Sequence, residues 1–472
     1  MIKNLSFFKL LSISDFRNFW IVQIFTLVAM QFYFLSLSWL TLDLTDSTMI
    51  LGVILTITAI PRLILVPIGG ALFDSISPKK LLITNISILV ISTIIFTIIL
   101  FFFPIQTWML ILFSIFFGIA SALFLPTSFA LIPRMVPKEY LQPANSFSQL
   151  SMQLANTFGP AIAGILISIY DIPAVYGAMS IFFSISLLFS FLMKNINSTV
   201  VKKEDRKKPN ILTLTKDVAD GFRIVNKNKL LLILIIISAL LNLSIVGPQQ
   251  IGLPYIANQN PNGGAENLGF LMSSLGLGTL IGVFIIGFFK NIKNKSIITM
   301  VFTIFLGLFW SFVGYFPDYI YVTAIFLFFS GICVGMLNVL VVTLIQLHAP
   351  IEATGRVMSL QLLGSTGIQP ITFLIVGWLL GVISPALLFL FSGIILIATA
   401  CISLCFKQIR KPDKADHKQK GILDTLKQLE DLKADVEKGV YQGDAVWAIN
   451  MCQETLANRY FEDNKDWKKM IN

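Results

Sequence analysis

Residues 50–103 read ILGVILTITAIPRLILVPIGGALFDSISPKKLLITNISILVISTIIFTIILFFF. The charged side chains in this stretch are Arg62, Asp74, Lys79 and Lys80, and the last three flank a short polar interval at Ser75-Ile76-Ser77-Pro78. On either side runs a segment long and apolar enough to cross a bilayer, which takes about 20 mostly apolar residues. The stretch therefore reads as two membrane-spanning helices joined by a tight polar turn.

The same pattern extends along the chain. Runs of spanning length lie near 18–42, 50–73, 81–103, 107–132, 145–169, 174–193, 229–253, 267–289, 296–315, 319–347, 357–383 and 386–406. Of the 472 residues 56% are hydrophobic and 13% charged, whereas soluble domains average about 25% charged residues. The last 66 residues, 407–472, concentrate 13 of the 35 Lys and Arg and 12 of the 25 Asp and Glu. This distribution excludes a secreted enzyme, a nucleic-acid-binding domain and a disordered protein. The net charge of +10 then reflects membrane topology, and no nucleic-acid partner is expected.

Lys3, Lys9 and Arg17 precede an apolar run without a small-residue cleavage site, so the first span is expected to be retained. With the N-terminus inside, the loops at 44–49, 104–106, 170–173, 254–266, 316–318 and 384–385 contain no Lys or Arg. Every basic residue of the first 406 except Arg62 then falls on the cytoplasmic side. The positive-inside rule thus predicts a multi-pass protein of the cytoplasmic (inner) membrane with both termini in the cytoplasm.

The expected fold is all-α and polytopic, with twelve transmembrane helices in two six-helix pseudo-symmetric halves and a cytoplasmic helical tail. Its predicted parts are 1–193, a charged linker at 194–228, 229–406, and a tail at 407–472. Within the linker Leu214, Val218, Phe222 and Val225 recur at helical spacing, as in a short interfacial helix. Leu51-Gly52 and Leu268-Gly269 open spans at one offset, which also carries Gly70 onto Gly287, so the halves read as repeats. In the tail Ile422, Leu426, Leu429, Leu432 and Val436 follow a helical period, and a second helix follows the turn at 439–443. The expectation there is a soluble hairpin: a regulatory element, a docking element for a cytoplasmic protein, or a solvated appendage.

Cys333, Cys401, Cys405 and Cys452 form no C-x-x-C pair, and His348 and His417 have no ligand partners nearby in sequence, so no metal site is expected. No nucleophile–base arrangement or phosphate-binding loop is visible, which predicts a protein that is not an enzyme and needs no cofactor. Gly276, Gly278 and Gly282 read as helix-packing positions.

Residues 70–80, with Gly70, Asp74, Lys79 and Lys80, resemble the loop motif of the major facilitator superfamily, G-x-x-x-D-[RK]-x-G-x-[RK]-[RK]. Ser75 and Ser77 depart from it, and the second-half copy has Asn291 at the acidic position. Gly159, Pro160 and Gly164 resemble the superfamily's antiporter motif, G-P-x-x-[GA]-G. Phe16-Arg17-Asn18-Phe19-Trp20, Pro143-Ala144-Asn145-Ser146 and Gly355-Arg356-Val357-Met358-Ser359 add likeness to the branch holding the enterobactin exporter and macrolide-efflux proteins. The resemblance covers about 1–406. It implies that Asp74 caps the start of span eleven and favours closure toward the cytoplasm, with Arg356 placed to add an ion pair. It also implies a gating role for the other motif residues, and proton antiport.

Candidate substrate-binding residues follow from polar stripes on apolar helices. Span five carries Asn145, Gln149, Gln153 and Asn156 on one face, and span eleven carries Gln361, Ser365 and Gln369. Carboxamides facing lipid are costly, so the stripes should face the bundle interior, either lining a cavity or bonding helix to helix. Gln31, Asn242, Gln249 and Asn338 are candidates of the same kind. Arg62 is a charge near mid-depth of span two. It either meets an anionic substrate or donates to the carbonyls of Ile57 and Leu63, which Pro61 and Pro67 leave free.

Three functions remain open. The leading expectation is a secondary exporter moving an amphipathic, anionic small molecule such as a siderophore or drug by alternating access. The others are a lipid or lysophospholipid flippase of the same fold, and a membrane receptor or scaffold signalling through the tail.

Overall fold

The computed structural model describes residues 10–75, 77–137, 140–194, 222–223, 225–226, 228–260, 263–288, 294–349, 354–410 and 429, without the side chains of 66–75 and 354–356. Most of the 194–228 linker, and the tail hairpin expected beyond residue 410, lie outside the described residues. Every regular element among the described residues is helical.

Among the described residues, eleven helical segments are long and apolar enough to cross a membrane. The longest, Leu141–Leu192, holds two crossings, because Asp171 at φ 64°, ψ 174° reverses the chain inside it. The twelve predicted spans are thereby accounted for. Spans one to four are Ser14–Thr45, Thr48–Ser75, Pro78–Phe102 and Thr107–Met135, and spans five and six share Leu141–Leu192. Spans seven to ten are Lys229–Gln259, Ala265–Phe288, Lys295–Tyr315 and Ile320–His348. Span eleven comprises Thr354–Thr366 and Gln369–Leu379, and span twelve is Pro385–Cys405.

Proline explains where the helices deviate. In span four the helix breaks at Leu123, three residues before Pro126, which has no N–H to give to the Ala122 carbonyl. Span seven widens into a π-helical turn over Pro248–Gly252. Pro248 has no N–H for the Ser244 carbonyl, and the buried Trp310 indole donates to that oxygen instead, at 3.2 Å. Span eleven, predicted as one run over 357–383, is interrupted at Gly367-Ile368, where Pro370 cannot bond to the Thr366 carbonyl.

The first six spans are held together by interhelical polar pairs and aromatic packing. Trp20 Nε1 donates to Ser151 Oγ at 2.8 Å, Gln23 Nε2 donates to Ser148 Oγ, and Thr26 meets Ser186 at 3.1 Å. Each such bond in a membrane protein contributes about 0.6 kcal/mol on average. Tyr33 stacks on Phe117 at 3.5 Å, and its hydroxyl reaches Thr58 at 2.8 Å and Ser114 at 3.1 Å. Among the last six, Gly278 and Gly282 of span eight lie against the span-ten backbone at Phe328 and Ile332, in the packing role read from their spacing.

Among the described residues, two closely packed seams, beside lighter contacts of span one with span seven, join the first six spans to the last six. Span five meets span eight, where a Cβ on Gly164 would fall 2.5 Å from the Ala265 carbonyl oxygen and one on Gly269 would fall 2.5 Å from that of Pro160. Span two meets span eleven, where a Cβ on Gly52 would fall 2.5 Å from the Phe373 oxygen and one on Gly377 would fall 2.8 Å from that of Thr48. Thr48 Oγ1 also donates to the Gly377 carbonyl at 2.9 Å, and Thr56 Oγ1 to that of Pro370 at 3.0 Å. Both seams lie toward the loops that carry no Lys or Arg.

Candidate functional site

Among the described residues, two adjoining polar-lined cavities lie within the bundle. One, of about 290 Å³, lies among spans seven, nine, ten and eleven and is lined by Ser238, Asn242, Gln249, Asn338, Gln361 and Ser365 together with aliphatic side chains. The other, of about 300 Å³, lies between the two sets of six spans, with Gln31, Gln153, Asn156, Gln249, Gln250 and Asn338 on its wall. Gln249, Asn338, Ile245 and Val334 line both, so the cavities meet at spans seven and ten.

Helical spacing explains the convergence. Ser238, Asn242 and Gln249 lie four and seven residues apart on span seven, and Gln361 and Ser365 four apart on span eleven. The π-helical turn brings the consecutive residues Gln249 and Gln250 to the same cavity, although neighbours on a regular helix point about 100° apart. Gln250 was not among the sequence candidates for that reason. Ser238 and Thr279 also lie on these walls, but isolated hydroxyls on apolar helices gave no signal to select them.

The wall amides differ in their bonding. Gln31 Nε2 donates to Asn156 Oδ1, tying span one to span five, and Gln153 Nε2 donates to the Gly276 carbonyl at 3.3 Å across the seam. Asn242 Nδ2 donates to the Ser238 carbonyl at 2.9 Å, and Gln361 Nε2 to Ser238 Oγ at 3.2 Å. Oε1 of Gln250 is buried without a partner, and Gln249 and Asn338 have none among the described residues.

The remaining candidates lie elsewhere. Gln149 is exposed on the same stripe, farther toward the start of span five, and Gln369 is half-buried at the break in span eleven. Neither lines these cavities. Arg62 is half-buried one turn beyond Thr58, lines neither cavity, and has no hydrogen bond or ion pair among the described residues. The donation to Ile57 and Leu63 considered from the sequence is therefore not formed.

Of the motif residues, Pro160 and Gly164 lie in the seam with span eight, and Gly159 lies against Gln31 of span one. Lys79 is buried and donates to the carbonyls of Met193 and Phe191, fastening the start of span three to the end of span six, while Lys80 is exposed. Gly70, Asp74 and Arg356 are helical in backbone, and their side chains lie outside the described residues.

The sequence profile of the family described as transmembrane secretion effector matches residues 5–440. Macrolide efflux protein A of Streptococcus pyogenes is 23% identical over 404 residues, covering 84% of this chain and 97% of that protein. The staphyloferrin A transporter of Staphylococcus aureus is 24% identical over 267 residues, covering 56% and 64% respectively. Among solved structures, the nucleoside transporter NupG aligns with a TM-score of 0.64 at 13% identity, covering 83% of this chain and 99% of its own. A POT family transporter in complex with a thioalcohol-conjugated peptide aligns with a TM-score of 0.64 at 15% identity, over 85% and 96%. These two likenesses concern the fold, and the family match concerns descent. The chain belongs to the transmembrane secretion effectors of the major facilitator superfamily, and is a multi-pass transporter of the efflux type.

Proposed function

We propose that this transporter exports an amphipathic small molecule across the cytoplasmic membrane by alternating access, with both termini in the cytoplasm. The observation that carries the reading is the pair of adjoining cavities, lined by both carboxamides and aliphatic side chains, beside two inter-half seams near one membrane face. That face bears the loops without Lys or Arg, which the positive-inside rule assigns to the outside. On this reading the conformation is closed outward, and the exposed Gln149 belongs to a vestibule open to the cytoplasm. Asp74, Gly70, Lys80 and Arg356 serve the opposite closure, as the superfamily motif implies.

Proton antiport is retained in the proposal on the family's behaviour. The test uses inside-out membrane vesicles containing the full chain and a radiolabelled macrolide, a citrate-type siderophore and an uncharged aryl glycoside as cargoes. Respiration-driven accumulation of at least one, abolished by an uncoupler, is the expected result. Uncoupler-insensitive entry that stops at equilibration with the outside concentration would replace antiport with uniport. Failure to move any cargo, with translocation of a fluorescent phospholipid analogue instead, would overturn the export reading in favour of a flippase.

A further inference from the structure

Among the described residues, the wall carboxamides that make no hydrogen bond at all lie in one place. The amides of the first six spans are engaged, Gln31 with Asn156 and Gln153 with the Gly276 carbonyl. Gln249, Gln250 and Asn338, where the cavities join, are left without partners among the described residues. A carboxamide presents two N–H donors and a carbonyl acceptor and carries no charge. The side chains beside these three, Ile245 and Val334 on both walls and Met272 and Leu275 on one, are apolar.

We infer that Gln249, Gln250 and Asn338 hold the polar part of an uncharged amphiphile bearing several hydroxyl or amide groups. This rests on the export reading and gives its cargo a chemical class. The described lining of both cavities contains no ionisable side chain. A ligand with net charge would shed hydration there without gaining an opposite charge, whereas hydroxyls and amides exchange water for the wall's donors and acceptors. Arg62, the cation that would favour an anion, lines neither cavity. Cavities of about 290 and 300 Å³ that adjoin one another suit a ligand with an apolar body as well as a polar head.

The experiment measures equilibrium binding to the full chain in nanodiscs, without any gradient. The probes are phenyl β-glucoside, phenyl β-glucuronide and phenyl β-glucosaminide, which share one aryl group and differ in charge. The glucoside is expected to bind about tenfold more tightly than either charged probe, and Gln249→Leu and Asn338→Leu each to weaken it about tenfold. Gln106→Leu, in the exposed loop before span four and away from both cavities, should leave its affinity unchanged. Asn338→Asp should turn the preference toward the cationic glucosaminide, a gain that a misfolded variant cannot produce. Equal or tighter binding of a charged probe, no saturable binding of any probe, or equal losses in Gln106→Leu and Gln249→Leu would overturn the inference. Vesicles that accumulate only charged cargoes would also end it while leaving export standing. Vesicles that move nothing would end the export reading while leaving the binding result intact.

Discussion

The indole N–H of Trp310 in span nine donates across 3.2 Å to the carbonyl oxygen of Ser244 in span seven, the acceptor that Pro248 cannot serve from within its own helix. The proline and the tryptophan therefore act as a pair, one opening a backbone position beside the cavity and the other closing it again. Trp310→Phe keeps a ring against Phe389 and removes the donor. It should cost about 2 kcal/mol through the unpaired buried carbonyl, read as a lower melting temperature in detergent. In a Pro248→Ala background the helix regains an N–H for Ser244, and the penalty of Trp310→Phe should shrink by about 1 kcal/mol. An unchanged penalty in the two backgrounds would uncouple the residues.

The seam glycines admit no Cβ. Gly269→Ala places a methyl 2.5 Å from the Pro160 oxygen, and Gly52→Ala does the same at Phe373. Each should force the outward-facing ends apart, raise labelling of cysteines introduced beside the cavities by an impermeant outside reagent, and slow transport severalfold. Gly287→Ala is the matched control, because nothing lies within 4 Å of its Cβ position. Equal labelling in all three variants would remove the seams from the closure.

Asp171 holds φ 64° and ψ 174°, a conformation in which a side chain costs about 1–3 kcal/mol and glycine very little. Asp171→Gly should raise stability by about 1 kcal/mol, whereas Asp171→Ala keeps the strain and should not. Thermal unfolding of the pair distinguishes backbone strain from loss of the carboxylate.

Lys79 caps the end of span six through the Met193 and Phe191 carbonyls, and nearby Asp15 accepts from the Lys194 backbone N–H at 2.8 Å. Lys79→Met keeps the apolar stem and loses the charged donor. A loss of about 2 kcal/mol is expected, with faster amide exchange at the C-terminal turn of span six. A purely solvated lysine would leave both measurements unchanged.

The spans were legible because a bilayer imposes a length on every apolar run, and that length is visible in any window of the chain. Their interruptions were less so. Span eleven reads as one run despite Pro370, because a proline inside a membrane helix is compatible with a bend, a break or a widened turn, and the neighbours decide which. Pro248 became a π turn partly because Trp310, far away in sequence, could satisfy Ser244. The polar stripe of span five was visible from spacing alone, yet Gln153 and Asn156 reach a cavity wall while Gln149 does not. Helical period gives direction around an axis and says nothing of which neighbour stands opposite. Arg62 illustrates the same limit: its depth followed from counting residues, and its place outside the cavities followed only from how span two packs.

The two seams are contacts between backbones. Carbonyl oxygens and Cα atoms make them up, and the side chains admitted there are mostly hydrogen atoms or hydroxyls. The amides at the cavity junction belong to a different set of positions. Mutation can therefore revise what is carried without revising how the protein shuts, since the unpaired amides and the seam glycines are different residues. Selection under a new toxic compound should enrich changes at Gln249, Gln250 and Asn338 and leave Gly52, Gly164, Gly269 and Gly377 invariant, so that the range of cargoes evolves while the transport cycle is inherited unaltered.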